Sequence, residues 1–327
     1  MDNKGPVFIV GMNGSGTTML LDCLDNHPDL YGFRRETKIL PYFFSARHKY
    51  GDLSFDENFL RLWDDIRQVP LFRQCNNGDI PPLPDNWREL PRTLASIVES
   101  IFSFFANREG KHRWCEKTPM HALHINTLAK IFPHARFIHI IRDGRASAAS
   151  FYRRWGYKPE LTMYRWKNVV QEARRQGANI ASRYSEISYE SLTLDPKTQM
   201  QRICAFLDVE YTDRVLSTSR QRSFTGSSES NIVANVDKWR NYFDRERINR
   251  LEQIAGKTLA EFGYDTDCPN ADHNPSKLEL KLWLYKDYTR SGVSLLKKEW
   301  SERGNTNWED FSAKIVNAVR QRMTTRY

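Results

Sequence analysis

A glycine-rich turn directly after a short apolar run constrains the fold of this chain more than any other feature. The apolar run is residues 7–10, and it is followed by Gly-Met-Asn-Gly-Ser-Gly-Thr-Thr over residues 11–18. A buried strand, a tight turn and a helix opening at Thr17 would point several backbone N–H groups at one anion. The glycine spacing is that of a phosphate loop, but Thr17 stands where nucleotide-splitting loops carry a lysine. That lysine assists phosphoryl transfer from a nucleoside triphosphate. We therefore expect a loop that binds phosphate but does not use such a lysine to hydrolyse a triphosphate.

Length and charge limit the classes of protein to which the chain can belong. Its 327 residues suffice for one large α/β domain, or for one domain with an appendage. The formal net charge of +9 suits a polyanionic ligand, such as a nucleotide with several phosphates, an acidic acceptor or nucleic acid. Charge alone does not choose among these ligands.

Cysteine usage and the N-terminus bear on the cellular compartment. The five cysteines are odd in number and form no C-x-x-C pair, which predicts free thiols in a reducing compartment. The N-terminal residues run straight into the first apolar segment, and no stretch is long and apolar enough to span a bilayer. We therefore expect a soluble, cytoplasmic protein.

Apolar segments alternate with amphipathic ones along the chain. Strands are predicted at 7–10, 30–32, 112–115, 136–141 and 186–190, and helices at 17–26, 92–106, 121–132, 196–207 and 239–262. This alternation predicts an α/β fold with a central parallel sheet flanked by helices. Because ligands of such sheets lie at the carboxyl ends of the strands, the loops after Val10, Cys115 and Ile141 are expected to share one site.

Two regions depart from the alternating pattern. Residues 40–110 are rich in aromatic side chains and predict a helical insertion that walls a substrate cleft. A polar segment with two prolines begins near residue 268, so we predict one domain over 1–268 and a helical C-terminal extension over 269–327. The extension is expected to pack on the domain, and a homodimer surface or a peripheral contact with an anionic membrane is the alternative.

Three segments together carry a resemblance to a known family. The first runs over 8–41 and contains Ser15-Gly16-Thr17-Thr18 and Glu36-Thr37-Lys38, the second is Glu116-Lys117-Thr118-Pro119, and the third runs over 132–150 and contains Arg142-Asp143-Gly144-Arg145. In this order they resemble the sulfotransferases that use 3′-phosphoadenosine 5′-phosphosulfate (PAPS), closest to the bacterial and tyrosylprotein types. The resemblance covers most of residues 7–265. It implies a P-loop NTPase-like fold and transfer of a sulfuryl group from PAPS to a hydroxyl or amine acceptor.

The resemblance also implies which residues bind PAPS. The residues implied for the 5′-phosphosulfate are Gly14, Ser15, Gly16, Thr17 and Thr18. Those implied for the 3′-phosphate are Arg142 and Ser150. Those implied for other contacts with the adenosine bisphosphate are Tyr189, Ser228, Lys238 and Trp239, although packing of Tyr189 in the core is an equal alternative.

Catalysis by such an enzyme needs positive charge and a base. The resemblance implies that Lys117 stabilises the charge that develops as the S–O bond breaks, with Lys38 as a second candidate. Glu36 matches the general base, and the alternative is a simple ion pair with Arg34, Arg35 or Lys38. Gly14 replaces a lysine or arginine of many relatives, which puts more weight on Lys38 and Lys117. We expect no metal, since the sequence has no metal-ligand spacing.

Two other classes of function stay open at this point. A P-loop kinase would need the lysine that Thr17 replaces, together with magnesium. A non-catalytic nucleotide-binding or nucleic-acid-binding protein would use the positive charge, but the chain has no recognition-helix motif, so no nucleic acid is expected. The acceptor is not encoded legibly, and a sugar, a lipid, a phenol and a peptide tyrosine all stay open.

Overall fold

The structure is a computed structural model that describes residues 4–217, 232, 236–285 and 287. The chain forms two compact units. The first comprises the residues up to 142 and those from 168 to 236, and the second comprises 143–167 and the residues from 237 onward. Ser228 and most of the predicted C-terminal extension lie outside the described residues.

The first unit contains a five-stranded sheet within its described residues. The strands are β1 (Val7–Val10), β2 (Leu30–Phe33), β3 (Arg113–Lys117), β4 (Arg136–Ile141) and β5 (Tyr184–Ser188). They are ordered β2-β3-β1-β4-β5, and each neighbouring pair is parallel. The central strand β1 is apolar and buried at every position, as a strand covered on both faces must be. The α/β prediction with a central parallel sheet is confirmed.

Helices surround this sheet. Those of the first unit are α1 (Thr17–Asp25), α2 (Leu40–Ala46), α3 (Asp56–Arg67), α4 (Pro70–Cys75), α5 (Leu94–Arg108), α6 (Ile125–Ile131), α9 (Tyr189–Leu194) and α10 (Pro196–Leu207). The helices α2–α5 occupy the aromatic-rich stretch between β2 and β3. Within it, α3 buries Phe59, Leu62, Trp63 and Ile66, whose spacing of three to four residues forms one apolar face.

The order of the strands decides where the site lies. Strand β1 pairs with β3 on one side and with β4 on the other, with Ile9 opposite both Lys117 and Ile138. Because the three strands are parallel, their carboxyl ends meet at one edge of the sheet. The loops after Val10, Lys117 and Ile141 therefore lie side by side, although β3 ends two residues beyond the predicted end at Cys115.

The second unit is helical in its described residues. It contains α7 (Gly144–Trp155), the part of α8 (Pro159–Gly177) up to residue 167, and α11 (Arg245–Glu261). Residues 277–285 are also helical. Asp143 caps α7 by accepting a hydrogen bond from the amide of Arg145 at 2.7 Å, and Asp244 caps α11 in the same way. Among the described helices of the chain, none has the length and apolar character needed to cross a membrane.

Several predicted boundaries are wrong, and capping explains two of the differences. The strand predicted at 186–190 ends at Ser188, whose side chain accepts a hydrogen bond from Ser191 and starts α9, so that Tyr189 is helical. The helix predicted from 239 begins at Arg245 because Asp244 caps it there. The helix predicted over 121–132 begins at Ile125, after a 3-10 turn.

Candidate active site

The phosphate loop joins β1 to α1 through glycines with positive φ. Gly14 has a φ of +85°, and Gly16, which precedes the first helical residue, has a φ of +100°. L-residues with a side chain rarely adopt this conformation. The amide of Ser15 donates to the carbonyl of Met12 at 3.0 Å and closes the turn. The loop conformation therefore depends on glycine at these positions.

Several hydrogen-bonding groups of this loop are arranged for an anion. Helix α1 has no side-chain cap and no acidic residue in its first turn, so its first amides have no acceptor within the helix and carry the positive end of its dipole. Ser15 is fully buried, and its Oγ has no hydrogen-bond partner in the described part of the chain. Thr17 is buried, whereas Thr18 is exposed. Buried hydroxyls usually have partners, so an oxyanion such as phosphate fits this loop.

Arg142 brings a positive charge to the loop from the end of β4. Its Nη1 donates to the carbonyl oxygen of Gly14 at 3.2 Å. Its guanidinium carbon lies 4.3 Å from the centroid of the Tyr189 ring, a cation–π distance. Tyr189 is also buried in the core beside α1, so the ring both packs in the core and contacts Arg142. The structure thus brings Arg142, Tyr189 and the glycine loop together.

The three predicted catalytic residues form one charged cluster. Lys117, the last residue of β3, has a side chain that is 8% exposed, and its Nζ lies 3.3 Å from Oε1 of Glu36. Lys38, whose side chain is 70% exposed, has its Nζ 3.3 Å from Oε2 of the same glutamate. The Glu36 side chain is 33% exposed, so a second molecule can reach it. The ion pair with Lys38 is present, whereas Arg34 pairs with Asp22 and Asp25 instead.

A buried network that was not predicted from the sequence lies beside this cluster. Glu116 is fully buried, and its Oε1 accepts hydrogen bonds from the amide of Thr37 at 3.3 Å, from Oγ1 of Thr37 at 3.1 Å and from Oγ1 of Thr118. Its Oε2 lies 3.0 Å from Nδ1 of the buried His121. The strand predicted at 112–115 excludes Glu116, whereas the observed strand continues to Lys117 and buries Glu116. A buried carboxylate requires partners.

The network decides the charge of Glu116. Burial raises the pKa of this carboxyl group, but the charge of His121 and the hydrogen bonds from His121, Thr118 and Thr37 outweigh burial and lower it. Glu116 is therefore an ionised acceptor at neutral pH.

Three other predicted residues, Ser150, Lys238 and Trp239, belong to the second unit. Ser150 lies on α7, and Lys238 is exposed. Trp239 is buried, and the guanidinium carbon of Arg145 lies 4.4 Å from its ring centroid. Arg145 is itself buried between Asp143 and Glu252, so its charge is structural.

Comparison with known proteins identifies the family. The model of the sulfotransferase family matches residues 6–213, which include every predicted site residue except Ser228, Lys238 and Trp239. The chain belongs to the sulfotransferase family. It is therefore an enzyme of that family, a transferase, and the resemblance stated from the sequence is confirmed.

Individual relatives agree with this assignment. The chain is 25% identical over 291 residues to a putative protein-tyrosine sulfotransferase of Caenorhabditis briggsae, covering 82% of this chain and 92% of the relative. It is 26% identical over 318 residues to protein-tyrosine sulfotransferase A of Caenorhabditis elegans, covering 89% and 75%. The sulfotransferase domain of the Synechococcus PCC 7002 olefin synthase superposes with a TM-score of 0.51 at 23% identity, covering 81% of this chain and 98% of the domain. This domain has the same fold.

Among the residues that the structure describes, no group of three or more His, Cys, Asp or Glu side chains is arranged to hold a metal ion.

Proposed function

We propose that this sulfotransferase uses PAPS and transfers its sulfuryl group to a hydroxyl or amine acceptor, releasing adenosine 3′,5′-bisphosphate. One observation carries the proposal. Three groups meet at a single edge of the sheet. The phosphate loop without a lysine follows β1, Arg142 follows β4 and contacts that loop, and Lys117 ends β3 and pairs with Glu36.

Both phosphate ends of the nucleotide have candidate partners. The first amides of α1, the buried Oγ of Ser15 and the hydroxyls of Thr17 and Thr18 suit the 5′-phosphosulfate. Arg142 suits the 3′-phosphate, because a guanidinium binds phosphate oxygens through a fork of N–H groups. We assign Ser150, Lys238 and Trp239, with Ser228, to further contacts on the strength of the resemblance.

Lys117 provides the electrostatic part of the mechanism. When bound, PAPS supplies a sulfuryl group whose bond to the phosphate oxygen breaks as the acceptor oxygen or nitrogen bonds to sulfur. Negative charge then grows on the departing phosphate. Lys117 is almost buried and held by Glu36, and a preorganised ammonium group in a water-poor site stabilises such charge strongly.

Glu36 is proposed as the base that takes the acceptor proton. Each of its oxygens faces one ammonium group and keeps a further acceptor site, so an acceptor hydroxyl can hydrogen-bond to the carboxylate beside the lysines. Lys38 can also yield to the acceptor, since an exposed ion pair contributes little to stability. The more buried Lys117 stays in place beside the reacting groups.

The names of the relatives indicate which class of acceptor to test first. Since the two nematode relatives are named protein-tyrosine sulfotransferases, the phenol of a peptide tyrosine is the first acceptor to test. Sugars, lipids and small phenols complete the panel, with radiolabelled PAPS as the donor.

Nucleotide binding and one substitution test the proposal. Adenosine 3′,5′-bisphosphate at a hundred times its dissociation constant should stabilise the protein by about 2.7 kcal/mol without magnesium. Glu36→Gln should leave this binding intact while it lowers kcat by about a hundredfold or more. Glu57→Gln, at an exposed position of α3, is the matched control and should be fully active. Stabilisation by ATP with magnesium alone would favour a kinase, and no response to nucleotides would favour a different binding function.

A further inference from the structure

We propose that Glu116 is a positioning residue that fixes the Glu36 segment against Lys117, and that His121 holds Glu116 for this task. The inference rests on the proposed function, because it assumes that Glu36 and Lys117 act on the reacting groups. No catalytic contact of Glu116 itself is implied.

The connection starts from chain neighbours. Glu116 precedes Lys117 on β3, and Thr37 lies between Glu36 and Lys38. Oε1 of Glu116 accepts hydrogen bonds from both the amide and the hydroxyl of Thr37. One buried carboxylate oxygen therefore joins the two segments that carry the charged cluster.

The Glu36 segment needs such an anchor. Residues 34–39 follow β2 without regular secondary structure, so no ladder of backbone hydrogen bonds holds them. The amide of Thr37 also donates to Oγ1 of Thr118 at 2.9 Å, and that hydroxyl donates in turn to Glu116. Thr37 and Thr118 are both buried. The position of Glu36 beside Lys117 is thus set by buried bonds to its neighbour Thr37.

His121 completes the arrangement on the other carboxylate oxygen. A fully buried carboxylate is costly unless several donors satisfy it. With Oε1 occupied by the two threonines, Nδ1 of His121 at 3.0 Å is the donor for Oε2. Because His121 is 1% exposed and lies in the turn after β3, it restrains the carboxylate from rotating away from Thr37.

Two matched pairs of substitutions separate positioning from simple support of the fold. Glu116→Gln keeps an acceptor oxygen for Thr37, whereas Glu116→Ala removes it. Thr37→Ser keeps the hydroxyl donor, whereas the nearly isosteric Thr37→Val removes it. Each variant is assayed in the full chain for kcat, for KM of PAPS and the acceptor, and for the dissociation constant of adenosine 3′,5′-bisphosphate.

The expected result is a loss of turnover without a loss of nucleotide binding. Thr37→Val and Glu116→Ala should lower kcat by about tenfold or more, since small displacements of catalytic groups are costly. The nucleotide dissociation constant should change by less than about twofold, because the loop is untouched. Thr37→Ser should retain most of kcat, and Glu116→Gln, which keeps the acceptor for Thr37 but not the acceptor for His121, should retain more of kcat than Glu116→Ala. If Glu116→Ala fails to fold, the Thr37 pair still decides the question.

Combination with Glu36→Gln distinguishes this inference from the proposed function. If Glu116 acts through Glu36, then Thr37→Val should cause little further loss of kcat in a Glu36→Gln background. Losses that simply multiply, or a fully active Thr37→Val variant, would overturn the positioning role while leaving the sulfotransferase proposal intact. A fully active Glu36→Gln variant would instead remove the proposed base, and with it the premise of this inference.

Discussion

Gly16 is the position at which one methyl group tests the geometry of the phosphate loop. Its φ is +100°, and a Cβ built there lies 2.5 Å from Cδ2 and 2.9 Å from Cε2 of Tyr189. Gly78 has a φ of +98° and nothing within 4 Å of the corresponding position. The two glycines have nearly the same positive φ and differ in their surroundings. Gly78→Ala is therefore a control for Gly16→Ala within the same unit.

The difference between the two variants can be estimated. Placing alanine in the left-handed region costs about 1–2 kcal/mol at either position. Tyr189 cannot move aside without cost, because its ring is buried and faces the guanidinium of Arg142 at 4.3 Å. Forcing a methyl group into such a contact adds about 1–3 kcal/mol. We expect Gly16→Ala to lower the free energy of unfolding by about 2–5 kcal/mol in total.

Urea unfolding of single and double variants measures this difference. In a Tyr189→Ala background, the excess cost of Gly16→Ala over Gly78→Ala should shrink, since the clashing ring is gone and only Cδ1 of Ile140, at 3.3 Å, remains close. Gly16→Ala should also weaken binding of adenosine 3′,5′-bisphosphate, whereas Gly78→Ala should not. Equal losses of stability for the two glycine variants would refute the claim that the Tyr189 ring leaves no room for a Cβ at Gly16.

Two further predictions concern charged residues of the first unit. Arg142→Ala should weaken binding of adenosine 3′,5′-bisphosphate by about 2–3 kcal/mol, because a charge-assisted contact is lost, and should leave binding of adenosine 5′-monophosphate unchanged. If calorimetric titrations show equal losses for the two nucleotides, Arg142 does not bind the 3′-phosphate. Burial raises the pKa of Glu186, but His139 and Arg174 lower it from 4.5 to about 2. A lowered pKa stabilises the fold above pH 4.5, and this contribution, about 3 kcal/mol at most, disappears toward pH 2. In urea unfolding between about pH 5 and pH 2, the free energy of unfolding of Glu186→Gln should fall less with decreasing pH than that of the unmodified protein. The same dependence on pH in both proteins would contradict this prediction.

The sheet and the outer parts of the site could be predicted because their signals are local. Val7–Val10 and Arg136–Ile141 are short apolar runs followed by turn residues, and this pattern needs no knowledge of distant partners. Parallel pairing then brings the carboxyl ends of β1, β3 and β4 to one edge. Lys117 and Arg142 reach the predicted edge for this reason.

The contacts that organise the site could not be predicted, since they join residues far apart in the chain. Thr37 and Glu116 are 79 positions apart, and no periodic pattern announces their hydrogen bonds. The same is true of the ring of Tyr189 against Gly16. The prediction that extended β5 to residue 190 was wrong for a different reason, because the cap formed by the Ser188 side chain is invisible in the apolar pattern.

Gly14 links the loop conformation to the source of positive charge. Many sulfotransferases that the chain resembles carry lysine or arginine at this position, but here the residue has a φ of +85°, which would strain any side chain by about 1–2 kcal/mol. Its carbonyl oxygen instead accepts a hydrogen bond from Arg142. Lys38 is too exposed to replace the missing charge fully, since solvent screens it, whereas Lys117 is almost buried. We infer that Lys117, at the end of β3, supplies the positive charge that Gly14 does not carry, because the backbone at Gly14 disfavours any residue with a charged side chain.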